Sequence, residues 1–397
     1  MKILLISLFG SLTGSNSRLL NICKAFGLNN EIIVVTSDFS HGRKQYKGDS
    51  NHAVNGIREI QLHVPPYKRN LSVRRIISHL TFAIELKRYL SSLQELPDIV
   101  YCAMPSSSSA YVAGKWCKKD RIPFIIDVID IWPDSLIPLV SLKRIAAILL
   151  APWYKITHSS YAMADYISAE SCRYMEIAKE HNKTAPSSFT YLGVDVENIK
   201  SLISSSTLSI YKPENEIWIC YGGALGQSYD FETILNSVEF IHKKGIKYRL
   251  WIVGDGEKRS YVELEIKKRG LVGQVTGRLS YPDLLKYLSV CDIAFNSFNP
   301  ETLVVHSYKF NDYVATGCFV MNSLKGETSD LVDKYEIGKN YTPESAPSLL
   351  YETCINWHKI KAELQSNISK AVNECLNTKT IYSELRSNVL SKLGFKA

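Results

Sequence analysis

The sequence predicts two doubly wound parallel α/β domains in series. Three features point there: short Val/Ile-rich runs too continuously apolar for a one-sided sheet, helix-period segments between them, and a polar break near residue 200 after which the alternation restarts. In the first half, Ile3 to Leu8, Ile32 to Thr36, Ile99 to Cys102 and Phe124 to Val128 read as strands. Ser17 to Phe26, Leu71 to Leu93 and Ala110 to Lys118 have helical spacing.

The stretch NIKSLISSSTLSIYKPENE over 198–216 is polar and Ser-rich, and Ile217 opens a fresh strand. Strand IWICYGG, helix Phe231 to Lys243, strand YRLWIVGDG, helix Lys258 to Arg269, strand QVTGRL, helix Tyr281 to Leu288, strand DIAFNSF, helix Ser307 to Ala315 and strand FVMN follow. The expected domains are therefore 1–200 and 201–397. The tail from Ala362 to Leu393 reads as one long helix, whose last part, about 377–397, can pack back on the first domain.

Composition bounds the rest. With 397 residues, 45% apolar and 22% charged, the chain fills two cores and is neither a stapled miniprotein nor a disordered one. A net charge of +8 suits nucleotide phosphates, an anionic membrane face or nucleic acid. The 9 Cys are scattered, odd in number and never paired as CxxC, as expected for the reduced thiols of a cytosolic protein. Met1-Lys2 runs straight into ILLISLF, read as a first strand and not a leader. The apolar run Ile145 to Tyr154 is interrupted by Pro152 and falls short of the roughly 20 residues that span a bilayer.

Open α/β sheets bind ligands beyond the carboxyl ends of their strands. Two such loops are glycine-rich: Gly10 to Ser17, containing Gly14 and Ser15, and GGALGQS, containing Gly223 and Gly226. Glycines there let backbone N–H groups approach an anion or simply serve a tight turn. Neither loop is GxGxxG or a P-loop. Asp130, in IDIWPDS, stands where a buried strand ends and Pro133 cannot continue the ladder; it is either functional or a turn cap.

Ser307 and Gly317 bracket a helix as N-cap and terminator. Lys309 in its first turn opposes the helix dipole unless a dianion such as pyrophosphate sits there. Asp312 can then take a ribose diol; the plain alternative is an exposed i,i+3 pair. The segment 65–90 carries six basic residues, Lys68, Arg69, Arg74, Arg75, Lys87 and Arg88, against Glu85, with Val73, Ile76, Ile77, Leu80 and Ile84 at helical spacing. It reads as a helix for an anionic leaflet or as an ordinary sheet-covering helix. HExxH, DxD, Cys/His clusters and GxSxG are absent from the sequence.

Taken together, the Gly10 to Ser17 loop, IDIWPDS, GGALGQ, LWIVGDGE, VTGRLSYPDLLKYLSVCDIAFNSF and SYKFNDYVATG with Gly326-Glu327 resemble the family 4 retaining glycosyltransferases of glycosyltransferase-B fold, over nearly the whole chain. The DxWP and KxxDYxxxG elements look most like the branch that builds bacterial surface polysaccharides such as O-antigen and capsule. The resemblance implies two Rossmann-like domains facing a cleft, an N-terminal acceptor domain and a C-terminal donor domain. It implies a nucleotide-sugar donor, UDP before GDP, and a lipid-linked glycan acceptor, with no metal, no cofactor and no nucleic acid. By that resemblance the base lies against Gly277, Arg278 and Leu279, with Lys309 at the pyrophosphate, Asp312 on the ribose and Tyr308 among the donor-binding residues. Gly14, Ser15, Gly223 and Gly226 approach phosphate or sugar, and Asp130 and Lys309 are catalytic. A cytoplasmic protein, peripheral on the inner face of the plasma membrane, is implied too.

Two departures stand out. The family's paired glutamates are missing, Val304 standing at the first position, and GGALGQSYDFE has no basic residue. Two other readings follow from residues alone. Tyr111-to-Lys115 and Tyr335-to-Lys339 fit the YxxxK of a NAD-dependent nucleotide-sugar oxidoreductase, and the departures suit a non-catalytic scaffold.

Overall fold

The structure is a computed structural model that describes residues 1–12, 17–48, 57–69, 72–139 and 148–395. The chain divides into Met1–Tyr191 with Thr378–Ala397, and Leu192–Asn377.

The first unit is built on strands β1 (Lys2–Ser7), β2 (Glu31–Ser37), β5 (Arg58–Leu62), β6 (Ile99–Met104), β7 (Phe124–Val128), β8 (Tyr166–Ala169) and β9 (Ser187–Phe189), with a small hairpin of β3 (Phe39–Ser40) and β4 (Gln45–Tyr46). The sheet order is β5-β2-β1-β6-β7-β8-β9, every pairing parallel. Its middle strands are buried on both faces, which is why Ile3 to Ile6 and Ile99 to Met104 alternate nothing and stay apolar throughout. Helices α1 (Arg18–Phe26), α2 (Val73–Ser92), α3 (Ser107–Asp120), α4 (Ala151–Met163) and α5 (Cys172–Glu180) cover it. The crevice between the neighbouring strands β1 and β6, whose onward connections run in opposite directions, makes the switch point of this sheet.

The second unit uses β10 (Ile217–Gly222), β11 (Tyr248–Val253), β12 (Gly273–Val275), β13 (Ile293–Asn296), β14 (Phe319–Asn322) and β15 (Gly338–Asn340), in the order β12-β11-β10-β13-β14-β15, again all parallel. Its helices are α6 (Val196–Ser205), α7 (Phe231–Lys243), α8 (Arg259–Lys268), α9 (Tyr281–Leu288), α10 (Tyr308–Thr316), α11 (Glu327–Tyr335), α12 (Ala346–Ile355) and α13 (Trp357–Ala371). The switch point lies between β10 and β13.

Two differences from the sequence reading have physical causes. The tail is two helices, not one: after α13 the backbone passes through a π-turn at Val372–Leu376 and restarts as α14 (Thr378–Lys392). There the Leu376 carbonyl accepts from the Val194 N–H at 2.6 Å, so the chain turns to meet a strand-like crossing. The α14 residues Tyr382, Leu385, Val389 and Leu390 then join Ile3, Leu5 and Phe26 in the core of the first unit. The division of the chain falls at Tyr191, ahead of the Ser-rich stretch, because α6 packs on α9 and α10 of the second unit.

Candidate active site

In the second unit the GGALG loop leaves β10 at the switch point and is fixed by backbone contacts. The Gly223 N–H donates to the Val253 carbonyl at 2.9 Å, and the Leu225 N–H to the Asp255 carbonyl at 2.9 Å. A Cβ on Gly254 would lie 1.8 Å from the Gly223 carbonyl oxygen, so the GDG segment after β11 is glycine to let two loops touch. Tyr313, in the second turn of its helix, donates its hydroxyl to the Gly222 carbonyl and accepts from the Gly222 N–H at 2.9 Å. The DY of the helix thereby holds the glycine loop.

Helix α10 starts as its sequence implies. Ser307 accepts from the Phe310 N–H at 3.2 Å, and Gly317 closes the helix at φ +88. The N-cap is itself aimed from the sheet, since its hydroxyl donates to Asn296 Oδ1 at 3.0 Å. Asn296 donates to Asn322 and Asn322 to Asn340, each at 2.8 Å, an amide ladder across the ends of β13, β14 and β15. Buried amides must be paired, so this ladder fixes the register of the strand ends that carry the helix.

Lys309 points back over the glycine loop, and a Cβ on Gly223 would lie 2.6 Å from its Cε. The ammonium sits 3.5 Å above the Tyr229 ring, with Phe298 at 5.2 Å and Tyr221 at 5.5 Å. Burial brings the Lys309 ammonium down to about 7 against the opposing pull of Asp312. Asp312 accepts the Tyr281 hydroxyl at 2.7 Å. Burial lifts its carboxyl to about 7, with Tyr281 and Lys309 acting the other way. The pair is thus poised to change charge near neutrality, and an anion placed by the ammonium would tip it.

Gly277 turns at φ +78 beside the Arg259 guanidinium, with Arg278 exposed and Leu279 half-buried next to it. Tyr308 is exposed, and a Cβ on Gly226 would lie 3.9 Å from the Tyr229 ring. Gly223, Lys309 and Asp312 are brought together; Gly14 and Ser15 lie outside the described residues. The sequence reading missed Tyr229, Tyr281 and Phe298, whose signal is an aromatic residue within a few positions of a strand-end loop or helix start.

Gly223 has φ +130, so Gly223→Ala strains the backbone as well as crowding Lys309. The variant is expected to lose about 1–3 kcal/mol of unfolding free energy, read by denaturant titration.

In the first unit Asp130 is spent on its own loop. It accepts from the Ile131 N–H at 2.8 Å, the Trp132 indole at 2.6 Å and the Ser135 hydroxyl at 2.7 Å. Burial raises its pKa and these bonds oppose the rise, as does Arg75. Its evident work is to hold Trp132. The YxxxK residues build no site: Lys115 lies 5.2 Å over the Tyr111 ring on the surface of α3, and the Tyr335 hydroxyl donates to Glu374 at 2.8 Å. Among the described residues no group of three or more His, Cys, Asp or Glu side chains is placed to hold a metal ion.

No family model matches the chain, and no curated protein sequence does. Solved structures do. Anabaena HepE in complex with UDP superposes with a TM-score of 0.69 at 16% identity, covering 98% of this chain and 100% of that one. The fold is that of the glycosyltransferase-B proteins. Sucrose-phosphate synthase from Thermosynechococcus elongatus gives a TM-score of 0.73 at 14% identity, with 99% of each chain covered. The lipopolysaccharide outer core galactosyltransferase WaaB, in its apo form, gives 0.63 at 16% identity, over 99% of this chain and 100% of that one. At such identities the glycosyltransferase-B likeness speaks for the architecture, and the chemistry has to come from the residues.

Proposed function

We propose that this protein is a retaining glycosyltransferase that moves a sugar from a UDP-sugar, with GDP as the second choice of nucleotide, to a hydroxyl of a glycan. The observation that carries the reading is the meeting of Gly223, Lys309 and Asp312 at the switch point of the second sheet. A backbone loop, a cation and a diol-accepting carboxylate are what a nucleoside diphosphate requires there. HepE, a protein of the same fold, is described in complex with UDP and with UDP-glucose.

The chemistry is displacement on the donor face from which the pyrophosphate departs. Lys309 and oriented N–H groups stabilise the leaving charge, and the acceptor hydroxyl attacks as its proton passes to the departing phosphate. Metal is not required, because Lys309 supplies the charge. Asp130 acts as a positioning residue at the acceptor side through Trp132. The test is a thermal-shift screen without added metal: UDP at about 100 times its Kd should add about 2.7 kcal/mol of stability. A shift with NAD and none with UDP or GDP would overturn the reading in favour of the oxidoreductase. Binding without transfer to any acceptor would favour the non-catalytic scaffold.

The acceptor we propose is lipid-linked, in the assembly of a bacterial surface polysaccharide of O-antigen or capsule type on the cytoplasmic face of the membrane. Support comes from α2. Val73, Ile76, Ile77, Leu80 and Ile84 are 43–72% exposed, and Arg74, Lys87 and Arg88 are exposed with them. No helix among the described residues is long and apolar enough to cross a membrane. A helix with such a face lies on an anionic leaflet, at about 1 kcal/mol per basic residue. The protein should float with phosphatidylglycerol vesicles and not with phosphatidylcholine ones, and Ile77→Asp with Leu80→Asp should abolish flotation.

A further inference from the structure

The inner face of α2 carries Arg75 and His79, one turn apart and only 8% and 4% exposed. They lie where Phe9 follows β1 and Trp132 follows β7, at the carboxyl end of the first sheet and beside its switch point. The His79 ring lies parallel to Trp132, 5° apart in plane and 5.4 Å between centroids, and edge-on to Phe9 at 5.3 Å. The Arg75 guanidinium carbon is 4.1 Å from the Trp132 centroid and 5.4 Å from that of Phe9. Asp130 locks the indole that both of them touch.

Among the described residues neither ring nitrogen of His79 has a hydrogen-bond partner. An imidazole always carries at least one donor or acceptor at each nitrogen, and buried polar groups are almost always paired. Its ring neighbours Phe9, Trp132 and Trp153 would accept a phenyl ring equally well. Histidine at this place is therefore explained by a ligand that uses its nitrogens. Burial and the neighbouring guanidinium push His79 down to about 3, so it is neutral and offers one N–H. Lys44, 4.6 Å from the Tyr67 ring and 3.4 Å from His41, adds positive charge on the same side.

We propose that Arg75 and His79 form an oxyanion subsite for the acceptor, the guanidinium fork and the imidazole N–H sharing the oxygens of a phosphate or carboxylate. This deepens the glycosyltransferase reading and rests on it for the word acceptor. A guanidinium presents parallel donors that fit such groups, and it stacks on an aromatic face while doing so. The outer face of the same helix is the one assigned to the leaflet, so the subsite lies about one helix diameter, roughly 10 Å, from lipid. That places it within reach of a lipid phosphate.

The experiment titrates the full-length protein with citronellyl phosphate, citronellol, glucuronate and inorganic phosphate, following tryptophan fluorescence and calorimetry. Citronellyl phosphate should bind and citronellol should not; Arg75→Gln and His79→Phe should each weaken it by about tenfold or more. His79→Phe should melt at or above the wild-type temperature, since it removes unpaired buried nitrogens, and His79→Gln should regain part of the affinity. Glucuronate binding that is equally sensitive to both variants supports the subsite and moves its anion from lipid to glycan. The proposal is overturned if the alcohol binds as well as the phosphate, if His79→Phe binds as wild type, or if inorganic phosphate binds as tightly as either larger anion. UDP affinity should be the same in every variant. If UDP never binds while citronellyl phosphate does, the glycosyltransferase reading fails and the subsite stands.

Discussion

Replacing Lys309 with alanine is expected to lower kcat/KM for transfer from a UDP-sugar by about 10- to 150-fold, with little change in melting temperature. The loss is that of one hydrogen bond to a charged group, about 1.5–3 kcal/mol, in a site where the leaving pyrophosphate has no other side-chain cation assigned to it. Stability is spared because the ammonium is held by ring faces, Tyr229 at 3.5 Å above all, and removing it strands no buried partner but Asp312, which burial already holds near neutrality at about 7. The same residue gives a pH signature. Burial sets the free ammonium at about 7, so above that pH a bound dianion must draw in a proton to pair with it. UDP affinity should therefore fall from pH 7 to pH 9, by at most about tenfold per pH unit, with proton uptake seen as a buffer-dependent calorimetric heat. Tyr221, Tyr229 and Phe298 surround the ammonium and Asp312 acts on it, with the Tyr281 hydroxyl bonded to Asp312; of the groups around the ammonium Asp312 changes charge near the same pH, while burial pushes the Tyr221 and Tyr229 hydroxyls up. In Lys309→Ala the alkaline loss should shrink to the part that ionisation of Asp312 contributes, and the proton uptake on binding should fall with it. A wild-type profile that is flat from pH 7 to pH 9, or a variant with undiminished turnover, sinks the assignment.

Much of this architecture was legible because it rests on local rules. Continuous Val/Ile runs give parallel strands, and the helix at Lys309 announces both ends through Ser307 and Gly317. Lys309 and Asp312 sit on one face by spacing alone. What stayed hidden depends on partners far along the chain. Phe298 and Tyr229 meet Lys309 only after β10 and β13 pair, and Asn296, Asn322 and Asn340 become a ladder only across three strands. Edge strand β15, three residues long, is too short to show a pattern. Helix α2 inverts the usual rule that the apolar stripe marks the core. Its buried face is Arg75, Ser78, His79, Phe82, Ala83, Leu86 and Leu90, while the regular Ile/Leu stripe faces outward. Periodicity finds a stripe and is silent on which medium covers it.

Asp127 shows the same limit more sharply and carries the largest stability effect expected in the molecule. In the sequence it is one acid of IDVID beside Asp130. In the structure it is fully buried and takes both arms of Arg18, Nε at 2.8 Å and Nη2 at 2.7 Å. The remaining guanidinium donors go to the carbonyls of Thr190 and Ala169 and to Ser168, whose hydroxyl also accepts from Tyr101 at 3.0 Å. Tyr382 of α14 lies under the guanidinium, 5.9 Å away at its centroid, so one cation joins α1, β7, β8, β9 and the terminal helix. Removing either partner leaves a buried charge with nothing opposite, which costs about 3–5 kcal/mol. For a domain of this size that is about 2–4 °C per kcal/mol, so Arg18→Met and Asp127→Leu should each melt roughly 6–20 °C below wild type. The pair itself need not be net stabilising, because desolvating two ions offsets most of their attraction. The double variant, Arg18→Met with Asp127→Leu, should therefore recover much of the loss made by either single change, as a double-mutant cycle followed by differential scanning calorimetry would show. If the two losses simply add, the ion pair is not what holds the terminal helix and the first sheet in register.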